Sequence, residues 1–271
     1  MLKRIITAVI AILVFIPICI YSYTIIFPIA IALLSVVAVF EISKCLGYHK
    51  NLFLTIPLYL IALGLPIFRC FVNTNAFFLS HVPLIFIGVL IYMLSYVMIR
   101  KNKDNLSEIV LLYALSTFII SGFTSILMIR MMFNGEAVYL LAFLGAWICD
   151  TFAYFTGMLF GKHKLIPEIS PKKTVEGAVG GVIFTVIGFA IYCLIWNSIS
   201  DYKLSYLTLC IYGLLLSVAA QFGDLIASSI KRQYNLKDYG AIFPGHGGVL
   251  DRFDGVLLVA PFLYVLNHFL G

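Results

Sequence analysis

Charge is scarce in this chain. Only 11% of its 271 residues are Asp, Glu, Lys or Arg, against 62% hydrophobic and 15% aromatic. That leaves too little polar surface to cover a water-soluble domain, and no nucleic-acid partner is expected. Alternation of polar and apolar residues is also missing, which excludes a membrane barrel, because barrel strands face lipid with every second residue. The six cysteines (19, 45, 70, 149, 193 and 210) have no paired spacing, so neither a disulfide framework nor a zinc site is expected. Lys3 and Arg4 precede an apolar run as in a signal peptide, but a small-x-small cleavage site is lacking around Tyr21–Tyr23. No Walker A loop, no Ser/His/Asp or Cys/His arrangement, no internal repeat and no soluble linker is found.

What the chain does have is long apolar runs. A membrane-crossing helix needs about 20 apolar residues, and nine such stretches stand at about 5–21, 24–43, 52–72, 82–99, 108–129, 137–160, 175–196, 204–230 and 249–269. The fold class expected is all-α: a polytopic integral membrane helix bundle of about nine transmembrane helices, with backbone groups bonded within each helix. One membrane domain over 1–271 is expected, with 1–135 as scaffold spans and 136–271 as a catalytic half carrying cytoplasmic loops 161–174 and 231–248.

The cations fall in alternate connections. Lys3, Arg4, Lys44, Lys50, Arg100, Lys101, Lys103, Lys162, Lys164, Lys172, Lys173, Lys231, Arg232 and Lys237 lie on one side, against Arg69, Arg130 and Lys203 on the other. The positive-inside rule makes the first side cytoplasmic, which places the N-terminus inside. Both polar loops then face the compartment that holds nucleotides. An integral plasma-membrane protein with its active site toward the cytoplasm is the expectation.

Ionisable residues enter the helical segments mainly after residue 140. Asp224, eight residues before Arg232, lies on the order of 12 Å inside its helix. An unpartnered carboxylate there costs roughly 2.5–3.5 kcal/mol on insertion scales, so a cation must face it. Asp251 and Asp254, three apart at the start of the last span, share a helical face. Hard oxygen ligands of this kind suit magnesium, which takes one or two carboxylates and completes its shell with water and phosphate. Pro244-Gly245-His246-Gly247-Gly248 precedes that helix; its glycines allow close backbone approach, so Gly247 and Gly248 are expected to offer amides to an anion, with His246 and Arg252 beside them.

Ser170-Pro171-Lys172-Lys173-Thr174-Val175-Glu176-Gly177 forms a second polar stretch. Ser170 suits an N-cap and Pro171 the first helical position, so a helix is predicted to start there and aim free amides and two lysines at a phosphate. Glu176 stands four residues after Lys172 and can pair with it. Asp150, deep in the sixth span, reads equally as a functional acid or a structural ion-pair partner. Gly157 with Gly161, and Gly177 with Gly181, have the spacing of close helix packing. Glu41, three residues before Lys44, reads as an interfacial acid.

Ser228-Ser229-Ile230-Lys231-Arg232, Lys237-Asp238 and the run from Pro244 to Asp254 together resemble the signature of the phosphatidate cytidylyltransferase (CDP-diacylglycerol synthase) family. The Ser170–Gly177 stretch and Asp150 with Tyr154 and Gly157 are similar to that family's pattern as well, so the resemblance covers about 145–255. It implies transfer of CMP from CTP to phosphatidate, giving CDP-diacylglycerol and pyrophosphate. It also implies a magnesium requirement, with room for a second cation, and a homodimer. By the same resemblance Asp224 and Asp251 are metal ligands and catalytic together with Lys173. Lys172 and Lys173 then bind phosphate, with Ser170, Lys231, Arg232, Lys237, His246, Gly247, Gly248 and Arg252 lining the substrate site and Asp150, Glu176 and Asp254 supporting it. A CTP-dependent polyprenol or lipid kinase is the alternative, and an ion-relaying transporter is a third reading, disfavoured because the ionisable residues crowd one half and one face.

Overall fold

The structure, a computed structural model, describes residues 2–71, 75–100 and 105–270. Lys101 and Lys103 lie outside the described residues, as do the side chains of Lys3 and Arg4. Each expected span is a helix. In chain order they are α1 (Leu2–Ile20), α2 (Ile26–Cys45), α3 (Leu52–Phe71), α4 (Asn75–Ile99), α5 (Leu106–Arg130), the single turn α6 (Gly135–Val138), α7 (Leu141–Phe160), α8 (Val175–Ile199), α9 (Tyr206–Gln233) and α10 (Leu250–Leu270). Among the described residues, eight helical segments are long and apolar enough to cross a membrane, α6 and α7 counting together, and the apolar part of α1 is shorter, Ile6–Ile20. The protein is a polytopic all-α membrane protein.

Local chemistry explains where the helices stop. Gly47 (φ 81°) and Asn235 (φ 54°) take the left-handed conformation directly after α2 and α9. At the first of these, Leu46 N–H donates to the Ile42 carbonyl at 3.0 Å and Tyr48 N–H to the Ser43 carbonyl at 2.8 Å, which satisfies carbonyls the helix end would leave open. Arg69, expected in an outer connection, is instead buried in the last turn of α3.

The sequence reading of the 170–177 stretch needs correction. Ser170–Thr174 is a strand, β2, and it pairs antiparallel with β1 (Lys164–Ile166), with Ile166 opposite Ser170 and Lys164 opposite Thr174. Helix α8 starts at Val175, and its N-cap is Thr174, whose Oγ1 accepts from Gly177 N–H at 3.1 Å. Thr174 is extended (φ −125°, ψ 155°), a conformation a β-branched residue favours and an N-cap requires. Thr174 lies four residues beyond Ser170, and the strand pairing keeps Ser170 and Pro171 out of the helix.

Two compact units are present: Met1–Leu127 with Leu236–Arg252, and Met128–Asn235 with Phe253–Gly271. In the first, α2 and α3 pack along their length around Phe27, Ile31, Val39, Leu54 and Leu58. In the second, α7, α8 and α9 pack on one another, with the β1/β2 hairpin against α7 and α8.

Glycine makes the α7–α8 approach possible. A Cβ on Gly177 would stand 2.6 Å from the Ala153 carbonyl oxygen and 3.1 Å from Gly157 Cα, and one on Gly181 would stand 3.0 Å from Cys149 Sγ. The small-residue spacing is therefore packing, as the sequence implied. Gly177→Val is expected to force these helices apart and destabilise the protein by about 1–3 kcal/mol, read as a lower melting temperature of the detergent-solubilised protein; an unchanged melting temperature would contradict the close contact.

Candidate active site

In the second unit the polar residues gather around the C-terminal part of α9. Lys173, at the end of β2, forms an ion pair with Asp224 of α9, and both side chains are largely covered. Ser228 Oγ, one helical turn on, donates to Asp224 Oδ1 at 3.2 Å. Asp224 thus has the cationic partner that its depth demanded, supplied by the strand that precedes α8. Asp254 of α10 senses the charges of Asp224, Asp150 and, with opposite sign, Lys231, so three acids and a cation share one field. Asp254 is half-buried; Asp150 lies on the open face of α7 and is not enclosed by protein as its depth suggested.

Close backbone contact builds this arrangement. A Cβ on Gly223 would stand 2.7 Å from the Asp254 carbonyl oxygen and 3.1 Å from Gly255 Cα, so α9 and α10 touch one residue away from Asp224. Arg232, exposed at the end of α9, directs Nε toward the Ile169 carbonyl at 3.4 Å, while Lys172 is exposed on the hairpin and Lys231 is half-buried.

Glu176 does not pair with Lys172. Its carboxylate accepts from Lys162 N–H at 3.1 Å and His163 N–H at 3.2 Å and meets His163 Nδ1 at 2.6 Å. A side chain at the start of a helix looks outward and back, and here it finds the loop that enters the hairpin. Val175 N–H donates to the His163 carbonyl at 2.9 Å and Gly177 N–H is held by Thr174. The first-turn amides of α8 are therefore partly spent inside the hairpin, and an anion arriving here meets lysine side chains first.

The first unit holds the glycine-rich loop. Gly245 (φ 80°) and Gly247 (φ 86°) adopt a conformation L side chains avoid. The turn closes through Phe243 N–H to the Gly247 carbonyl at 2.9 Å and His246 N–H to the Phe243 carbonyl at 2.8 Å. Asp251, only 8% exposed, accepts on Oδ2 from Tyr239 N–H at 2.8 Å and Gly248 N–H at 2.9 Å. The expectation that Gly248 offers its amide to an anion is thus corrected: the amide is already held by Asp251. Lys237 and Arg252 are exposed and His246 is half-buried.

One residue of this loop's setting escaped the sequence reading. Glu41 of α2, 2% exposed, accepts from Val249 N–H at 3.0 Å and Leu250 N–H at 2.9 Å. Lys44, in the next turn of α2, made an interfacial role the simple reading. The signal available was an acid inside an otherwise apolar run, but its partners are more than 200 positions away.

Asp224 fits a role as a metal ligand. It is a half-buried carboxylate that accepts from Ser228 and is paired with the Lys173 ammonium. Among the described residues no three His, Cys, Asp or Glu side chains form a metal-binding group by themselves, and magnesium bound with a nucleotide needs only one or two carboxylates because phosphate and water supply the remaining oxygens.

Comparison with known sequences decides the family. The profile of the cytidylyltransferase family matches residues 2–270. The chain belongs to the cytidylyltransferase family. Curated relatives in this family carry the name phosphatidate cytidylyltransferase. That of Staphylococcus saprophyticus is 35% identical over 263 residues, 97% of each chain, and that of Staphylococcus haemolyticus 34% over 264 residues, again 97% of each. The Bacillus subtilis protein is 40% identical over 175 residues, 64% of each chain. Cytidylyltransferase membership agrees with the signature residues read from the sequence, and those residues lie on the elements described above.

Proposed function

We propose that the protein transfers CMP from CTP to phosphatidate, forming CDP-diacylglycerol and pyrophosphate. The full-length match to relatives named for that activity carries the reading. Those names do not favour the kinase alternative. Bacterial relatives and the distribution of cations support a place in the cell membrane with the active site toward the cytoplasm. Magnesium dependence and homodimerisation belong to the same proposal and rest on the resemblance of the signature.

The chemical difficulty is bringing two polyanions together. A phosphatidate phosphomonoester carries about −1.5 to −2 charge at neutral pH and attacks without a strong base, so the chain must position it and neutralise charge. Lys173 leaves Asp224 for the phosphate oxygens as CTP binds, and Lys172, Lys231 and Arg252 add positive charge. A phosphatidate oxygen attacks the α-phosphorus, a new P–O bond forms, and the bond from the α-phosphorus to the bridging oxygen of the β-phosphate breaks, releasing pyrophosphate. Asp224 and Asp251 would hold magnesium, which, when bound, neutralises the triphosphate. Asp150, Glu176 and Asp254 support the site, Glu176 by ordering the hairpin entry through Lys162 and His163.

Isotope placement tests the reaction. Membranes given phosphatidate and CTP labelled at the α-phosphate are expected to yield labelled lipid, whereas the γ-label is expected in soluble pyrophosphate. Lipid labelled from the γ-position would assign kinase chemistry and overturn the proposal.

A further inference from the structure

The first unit contains a carboxylate that the reaction as described does not use. Glu41 is buried, belongs to a helix remote in sequence from the signature, and spends both oxygens on consecutive amides, Oε1 on Val249 and Oε2 on Leu250. Those amides open α10, where they would otherwise lack partners. A carboxylate at a helix start also complements the helix dipole. The loop is shaped to admit it: a Cβ at Gly240 or Gly248 would run into the Glu41 carboxylate. Asp251 completes the clamp from the other side through Tyr239 and Gly248, and Thr7 Oγ1 donates to the Pro244 carbonyl at 3.0 Å.

We infer that Glu41 is a positioning residue for the nucleotide-binding loop. It fixes the start of α10, and with it the direction of Asp251 and the His246-Gly247-Gly248 turn, without touching substrate. This inference rests on the proposed function for the word nucleotide, but the clamp itself is independent of it. A carboxamide cannot replace the clamp, because Gln has one acceptor oxygen and its amino group would face an N–H. Supporting partners of ligand-bearing residues typically cost about 10- to 100-fold in affinity or activity when removed.

The test compares full-length wild type, Glu41→Gln and Gly240→Ala in detergent. Hydrogen exchange without nucleotide is expected to speed up over 239–251 in both variants and stay unchanged in α7–α9. KM for CTP is expected to rise about 10- to 100-fold, with KM for phosphatidate within about twofold, since only the loop is loosened. Gly240→Ala keeps Glu41 but displaces it, so it carries the test if Glu41→Gln fails to accumulate. Unchanged exchange with unchanged CTP KM, or a lower kcat with both KM values intact, would overturn the inference, because the second pattern reports only a smaller folded fraction. Failure of wild type to move the α-label into lipid would instead sink the proposed reaction and leave the exchange result standing.

Discussion

Asp224→Asn is expected to lower turnover by at least about 10²-fold, comparable to the loss of a principal electrostatic contact in other active sites, while the protein still inserts and folds. The carboxamide keeps the shape and can still accept from Ser228, so the local frame of α9 survives. What disappears is the negative charge that pairs with Lys173 and that would hold magnesium with nucleotide bound. Lys173 can extend its aliphatic stem toward the membrane surface, which limits the stability cost of losing its partner.

The pairing makes a second measurement informative. If Lys173 and Asp224 act as a unit, Lys173→Met alone should also be severe and the double variant little worse than either, since effects within one catalytic unit are strongly non-additive. Turnover of purified protein with CTP and phosphatidate, at matched folded amounts, checks both points. Near-normal turnover in Asp224→Asn would remove Asp224 from the reaction, and strict additivity would separate the pair's two members.

Asp251 separates building from chemistry. Asp251→Asn can still present one oxygen to Tyr239 N–H and Gly248 N–H, so its melting temperature should stay near wild type while turnover falls at least about 10²-fold. Asp251→Ala removes the acceptor as well. Two buried amides then lose their partner, at about 1–3 kcal/mol each, so this variant should lose turnover and also melt lower. Thermal unfolding in detergent beside the turnover assay distinguishes the two variants. If Asp251→Asn turns over normally, the residue serves the loop alone; if Asp251→Ala melts like wild type, the two hydrogen bonds at 2.8 and 2.9 Å contribute little.

These variants also mark how far the sequence could be read. The cost of burying an acid predicts a cationic partner for Asp224, while its proposed role toward magnesium rests on carboxylate chemistry and the family resemblance. Which lysine answered it did not follow. Lys173 reaches Asp224 because β2 folds back on β1, and two short strands between membrane helices leave almost no periodicity to read. Ser170 suits a cap by its residue type, but the strand pairing takes it out of the helix and leaves Thr174 to cap α8.

By itself the amino-acid order determined the class of fold, the approximate course of the apolar helices, the family signature and the packing role of Gly157, Gly161, Gly177 and Gly181. Those follow from composition and short-range spacing, because hydrocarbon demands long apolar helices and close helix contact demands small residues. Tertiary structure alone decided where the amides and acids found partners: Gly248 with Asp251, Glu176 with His163, and Glu41 with Val249 and Leu250. Hydrogen bonds are directional and only a few ångströms long, so a residue's partner is set by which distant segment the chain brings beside it, and no local pattern around Glu41 encodes that meeting.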